Sequence, residues 1–248
     1  MSRKRKIRWG RIFVLMLIIA VAAGCAHYFL GWGESRIAIA LDAGHGGNDP
    51  GAAGLIQETE LTENTVRYLE EYLREDDNYR VILCREYGEG EDLNARWMKS
   101  IVQGADLLLC VHGNSSDDPS ARGFEVYPSL PDQKYHAESV QFAQLIAEEV
   151  SQTGIPLRGN GGIRYAYYQE QPDGSSQKIL VDEPDPELSD CPSFAMVEYP
   201  RCPAVLAEQG FVTNEQDVVL LAGEAGCRLA AECYYRAICA YFGTDPVI

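Results

Sequence analysis

The sequence predicts a single α/β domain, a mostly parallel sheet with helices on both faces, preceded by one N-terminal transmembrane helix. Three observations predict it. Apolar runs of strand length alternate with helical patterns along most of the 248 residues. The composition, 46% apolar and 23% charged, is globular, and the chain is long enough to bury one sizeable core. The longest apolar stretch sits at the N-terminus, directly after a basic cluster.

That N-terminal region divides into a basic cytoplasmic tail over 1–11, "MSRKRKIRWGR", and an anchor or signal segment over 12–33. About 20 apolar residues cross a bilayer as a helix, and basic residues before them keep the N-terminus inside. Cleavage as a signal peptide and lipidation at Cys25 in "VAAGC" are the competing readings. The uncleaved anchor fits best, because apolar character continues past Cys25 through Tyr28, Phe29, Leu30 and Trp32. The expectation is a single-pass protein of the cell membrane, with residues 34–248 outside the cytoplasm.

Within 34–248 the strand-like runs are "RIAIAL", "YRVILC", "ADLLLCV", "GFEVYP", a weaker "FAMVEY", and "PAVLAE". Between the first two, Leu61, Thr65, Leu69 and Tyr72 recur at helical spacing, with Thr59 as the N-cap. A second helix is expected over 92–103. A third, over 135–153, stacks Phe142, Ile146 and Val150 at four-residue steps. Ala230, Tyr234, Ala237, Ile238 and Tyr241 form the apolar stripe of the last. Segment 164–193 has no clear period. So long an irregular stretch reads as a functional lid or an insertion.

Charge and cysteines narrow the function. Six of the 21 basic residues lie in the first eleven positions, so 15 remain against 37 acids, a balance near −22. Nucleic acid needs Lys and Arg on one face, so it is excluded as a partner. Cys25 falls in the apolar segment and leaves an odd seven cysteines, which is no disulfide scaffold. Cys84, Cys110, Cys227, Cys233 and Cys239 read as small buried groups. Cys191 and Cys202 lie in loop-like sequence and could pair in an oxidising compartment.

Ligands of open α/β sheets bind at the carboxyl ends of strands. His45 follows "IAIALDAG", His112 closes "LLLCV", Glu208 closes "PAVLA", and Glu58 stands between the glycine loop and the first helix. Two imidazoles and a carboxylate are the ligand set of a catalytic zinc site that keeps one position for water. Such a metal lowers the pKa of that water to roughly 7 and polarises a carbonyl. A second carboxylate must then move the proton, and Glu208 is the one left over. Taken singly, each has a blander reading: a solvated loop histidine, a capping glutamate. Together they form a complete reaction set. Asp42 could hydrogen-bond a ligand histidine or simply end its strand, and Asn114 could orient a ligand, bind substrate or only make a turn. Arg85, Arg96 and Arg122 read as ion-pair partners, with an Arg beside the cleft gripping a substrate carboxylate as the sharper alternative. Tyr165, Tyr167 and Tyr168 read as loop packing, with stacking on sugar rings as the sharper alternative.

The blocks "LDAGHGGNDPGAAG…QE", "ADLLLCVHGN" and "PAVLAEQGFVTN" resemble the three signature blocks of the zinc-dependent N-acetylmuramoyl-L-alanine amidases, bacterial cell-wall hydrolases of α/β fold. The resemblance runs from about Ile37 to Phe242. It implies that 34–248 is the catalytic domain, with a variable insertion at about 164–193. It implies one zinc ion held by His45, Glu58 and His112, with Glu208 as the catalytic carboxylate. Glu60 and Glu63 compete with Glu58 in the loosest part of the match. It further implies peptidoglycan as substrate, cut between N-acetylmuramic acid and L-alanine of the stem peptide. A small member without wall-binding repeats also resembles those that process spore cortex. A zinc peptidase or carboxypeptidase of the wall, and a non-catalytic peptidoglycan-binding protein, are the alternatives.

Overall fold

The computed structural model describes residues 9–30 and 36–248, without the side chains of 9, 11, 25–30 and 222. Helix α1 (Trp9–Leu30) precedes the domain. Then follow β1 (Ile37–Ala43), α2 (Glu58–Glu75), β2 (Tyr79–Leu83), α3 (Leu93–Val102), β3 (Leu107–Asn114), β4 (Glu125–Pro128) and α4 (His136–Ser151). The chain continues through β5 (Tyr165–Glu170), β6 (Ser176–Val181), α5 (Ala195–Glu198), β7 (Ala204–Phe211), α6 (Glu215–Asp217) and α7 (Glu224–Phe242).

Five strands form one sheet in the order β2-β1-β3-β7-β4. The first four run parallel, and β4 closes the edge antiparallel to β7. Alternation along the strands divides the core in two. Ile39, Leu41, Leu109, Val111 and Val205 face a layer that includes residues of α2, α4 and α7. Ala38, Ala40, Leu108, Cys110 and Leu206 face the other way, against Trp97 of α3, Met196 and Val197 of α5, and Leu180 of β6. In α2, Leu61, Thr65 and Leu69 are buried as the periodicity predicts, and the fourth buried position is Leu73, with the expected Tyr72 only half-buried beside it.

The strand order positions the site. From β1 the chain crosses through α2 to β2 on one side, then through α3 to β3 on the other. The loops leaving β1 and β3 therefore diverge, and a crevice opens between them at the carboxyl ends of the strands.

Several expectations are corrected. Among the described residues no helix is long and apolar enough to cross a membrane. That overturns the transmembrane helix, the membrane as a partner through it, and the single-pass placement. Residues 1–8 of the basic tail and the side chain of Cys25 lie outside the described residues.

"FAMVEY" is not a strand: α5 occupies it, burying Met196 and Val197. An apolar run this short reads equally as a buried helical turn. Segment 164–193 is more ordered than its sequence suggests, because β5 and β6 pair as an antiparallel hairpin. Helix α2 begins at Glu58 rather than after Thr59, with no side-chain cap from Gln57. Cys191 and Cys202 are free thiols, not a disulfide, and the other five cysteines of the domain are buried thiols as expected.

Candidate metal centre and active site

The loop from β1 to α2 places His45 and Glu58 at the mouth of the crevice. His45 is the non-glycine residue among those described with a positive φ, 60°. That region is sterically costly for a side chain with a Cβ, and such outliers gather at functional sites. The strain is held by Arg96, which is buried in α3. Its guanidinium makes two hydrogen bonds to Asp42, at 2.8 and 2.6 Å, and donates to the carbonyls of Ala43 (2.6 Å) and His45 (3.2 Å). Asp42 therefore acts on the loop through Arg96 and makes no direct bond to a site histidine. Its other oxygen contact is the Cys110 thiol at 2.9 Å. Breaking a buried pair of this kind costs about 3–5 kcal/mol, so the loop is firmly pinned.

His45, Glu58 and His112 each offer one ligand atom, all within 4.8 Å of one another. Glu58 is the hub. Its Oε2 lies 3.1 Å from His45 Nε2, and His112 Nδ1 donates to its Oε1 at 2.8 Å. The backbone N–H groups of Ala52 and Gly113 donate to the same carboxylate at 2.8 and 3.0 Å. The two imidazole rings meet edge to face, 4.9 Å between centroids. Burial alone would push the Glu58 carboxyl up, but the two histidines hold it well below the usual range. The bond to Glu58 raises His45 to about 9, against the opposing effect of burial, with Asp49 adding to the rise.

The competing carboxylates are elsewhere. Glu63 is bound to Arg85 at 2.7 Å, and Glu60 is exposed. Asp49 is a participant that the sequence reading missed. It accepts from His45 Nδ1 at 2.8 Å and turns Nε2 towards Glu58, the way outer carboxylates orient metal-binding histidines. Its signal was its place four residues after His45 in the glycine loop.

Two glycines leave room for the cluster. A Cβ on Gly44 would stand 2.6 Å from the His112 ring. One on Gly51, at φ +68°, would stand 2.6 Å from Glu58 Oε2 and 2.7 Å from the His45 ring.

Glu208, on β7, pairs in register with His112 on β3 and with Glu125 on β4. Its Oε2 is sealed from solvent and has no hydrogen-bond partner. Burial raises its pKa to about 7. The charges of Glu58 and Glu125 add to the rise, and those of His112 and Lys178 oppose it. Neighbouring Glu125 is fully engaged: Arg158 and Arg164 pair with it at 2.6 and 2.9 Å, and Asn114 Nδ2 donates to it at 2.9 Å. Asn114 is thereby fixed at the cleft wall without touching a site histidine.

His45, Glu58, His112 and Glu208 all line one cleft of about 750 Å³, together with Tyr168, Lys178 and Phe194. Of the three loop tyrosines, Tyr165 and Tyr167 are packed in a small core with Leu130 and Leu188, and Tyr168 reaches the cleft. Arg85 and Arg122 pair with Glu63 and Asp217, as expected for structural cations.

The sequence profile of a family described as N-acetylmuramoyl-L-alanine amidase matches residues 39–240. The N-acetylmuramoyl-L-alanine amidase AmiC of Neisseria meningitidis is 28% identical over 225 residues, covering 85% of this chain and 54% of its own. The chain thus spans about half the length of that relative. The amidase CwlM of Bacillus licheniformis is 28% identical over 193 residues, 76% of this chain and 62% of its own. Among solved structures, the catalytic domain of the amidase CwlV from Bacillus (Paenibacillus) polymyxa var. colistinus shares the fold. Its TM-score is 0.67 at 22% identity, covering 85% of this chain and 100% of that one. The CwlD amidase of Clostridioides difficile, solved in complex with the GerS lipoprotein, gives a TM-score of 0.60 at 21% identity over 85% of this chain and 100% of that one.

Proposed function

The chain belongs to the N-acetylmuramoyl-L-alanine amidase family, and from that premise we propose that it hydrolyses the amide between N-acetylmuramic acid and L-alanine of the peptidoglycan stem peptide. One observation carries the reading: His45, Glu58 and His112 converge within 4.8 Å beside a buried carboxylate oxygen with no partner. Two imidazole nitrogens and one carboxylate oxygen fit a single zinc ion. The ring of His45 is already oriented by Asp49, and glycines at 44 and 51 keep the space clear. Bound by these three residues, zinc supplies Lewis-acid polarisation of the amide carbonyl and a more acidic water.

The remaining chemistry belongs to the chain. Glu208, with its raised pKa, is poised to accept a proton from the attacking water and to return it to the leaving alanine nitrogen. Burial helps it in both roles, because a carboxyl near neutrality gives and takes a proton with little penalty. Arg96 and Asp42 hold the His45 loop in its strained turn, so the ligand geometry exists before substrate arrives.

Metal dependence tests the reading. The full chain, stripped with a chelator, should release no soluble fragments from peptidoglycan, and one equivalent of zinc per chain should restore release. Undiminished release by the stripped protein would contradict it.

A further inference from the structure

The β5–β6 hairpin contributes Tyr168 and Lys178 to the lining of the cleft, and the reaction proposed above gives them no role. Tyr168 of β5 and Lys178 of β6 are paired in register, so both side chains stand on one face of the hairpin, and both line the cleft. Phe194 stands beside them, its ring edge-to-face with Tyr168 at 5.7 Å and its centroid 5.7 Å from Lys178 Nζ. The hairpin is firmly placed: the Tyr168 N–H donates to the Pro192 carbonyl at 2.8 Å, and Ala166 and Leu180 enter the main core.

The charges of the cleft single out Lys178. Arg96, the other cation in its lining, is spent on Asp42. Asp49 and Glu58 are committed to the histidines. Lys178 makes no ion pair among the described residues, although the chain carries a net charge of −16. An anionic group entering this cleft meets Asp49, Glu91 and Glu208, and Lys178, whose charge already acts on Glu208, is the lining cation that makes no ion pair among the described residues. In the amide substrate the lactyl carboxyl is consumed in the scissile bond. The nearest anions left are carboxylates of the peptide arm, beyond the alanine.

We propose that Lys178 binds a carboxylate of the substrate's peptide arm, with Tyr168 and Phe194 covering the adjacent methylenes, so that the hairpin selects acidic stem peptides. The proposal rests on the amide hydrolysis argued above. The test compares the full chain with Lys178→Gln and Lys178→Arg on N-acetylmuramoyl-L-alanyl-D-glutamate and on its neutral analogue ending in D-glutamine amide. The wild type should favour the acidic substrate by about five- to tenfold in kcat/KM, mostly through KM, the scale of a hydrogen bond to a charged group at a partly wet site. Lys178→Gln should bring that ratio close to one, and Lys178→Arg should keep most of it.

Titration of the peptide product L-alanyl-D-glutamate into the same proteins separates the two readings. If no protein hydrolyses either substrate, the amidase reading fails. Weaker dipeptide binding by Lys178→Gln would then still support the carboxylate site. A substrate preference retained in Lys178→Gln, or equal dipeptide binding by it and the wild type, overturns the proposal.

Discussion

Glu208 joins the chemistry of the site to its stability. Its pKa is about 7 in the folded chain because burial penalises the charged form, well above that of an unfolded glutamate. Its contribution to stability is therefore fully present below about pH 4.5 and is lost as the pH rises through 7. In the metal-free protein at pH 8 the ionised carboxylate should cost up to about 3 kcal/mol. Glu208→Gln should then melt several degrees above the wild type at pH 8, with the difference vanishing near pH 4. Equal melting at pH 8 would show that this carboxylate is not held at a cost. His45, His112 and Glu208 were legible from the sequence because each ends or follows a buried strand, a position that apolar runs mark. Asp49 and Lys178 were not. One sits in a loop and the other on an exposed strand, and no periodicity says which way either points.

At the scale of elements, the loop between β1 and α2 builds most of the centre, and its glycines are positional requirements rather than slack. Gly51→Ala puts a Cβ against both Glu58 and His45 at a backbone angle that already disfavours it. It should weaken zinc binding by about 10- to 100-fold, the scale on which disturbed ligand support is felt. Gly88→Ala provides the control. It has a comparable φ of +77° but nothing within 4 Å of the added Cβ, so it should cost about 1–2 kcal/mol of stability and leave zinc affinity unchanged. Competition with a chromophoric chelator measures both. The four longer helices of the domain and the five sheet strands could be read from their periods, since burial on one or both faces writes itself into the apolar pattern. The β5–β6 hairpin could not: Ser176, Gln177 and Lys178 are exposed, and such a strand leaves no alternation to find. At α5 the run was visible but its conformation was not, because so short an apolar run, with Met196 and Val197 buried, serves a helical turn as well as a strand.

For the whole molecule, sheet order decides where chemistry can occur. The reversal of strand order around β1 opens one crevice, and residues distant in sequence, from 45 to 208, meet there without any local signal linking them. Alternation of strands and helices made an α/β sheet legible. Which strands are neighbours, and so which residues share a cleft, is a long-range property that a single sequence leaves open. The acidic surface adds a constraint, since a net charge of −16 repels an anionic polymer at long range. Productive binding must then rest on the local features of the cleft. The most direct measurement identifies the bond that is cut: peptidoglycan digested with the zinc-loaded full chain, analysed by mass spectrometry. Free stem peptides with a new N-terminal alanine, produced by the wild type and not by Glu208→Gln, are the predicted result. Peptides shortened at their carboxyl ends, with the muramoyl amide intact, would contradict the amidase reading and make the protein a carboxypeptidase.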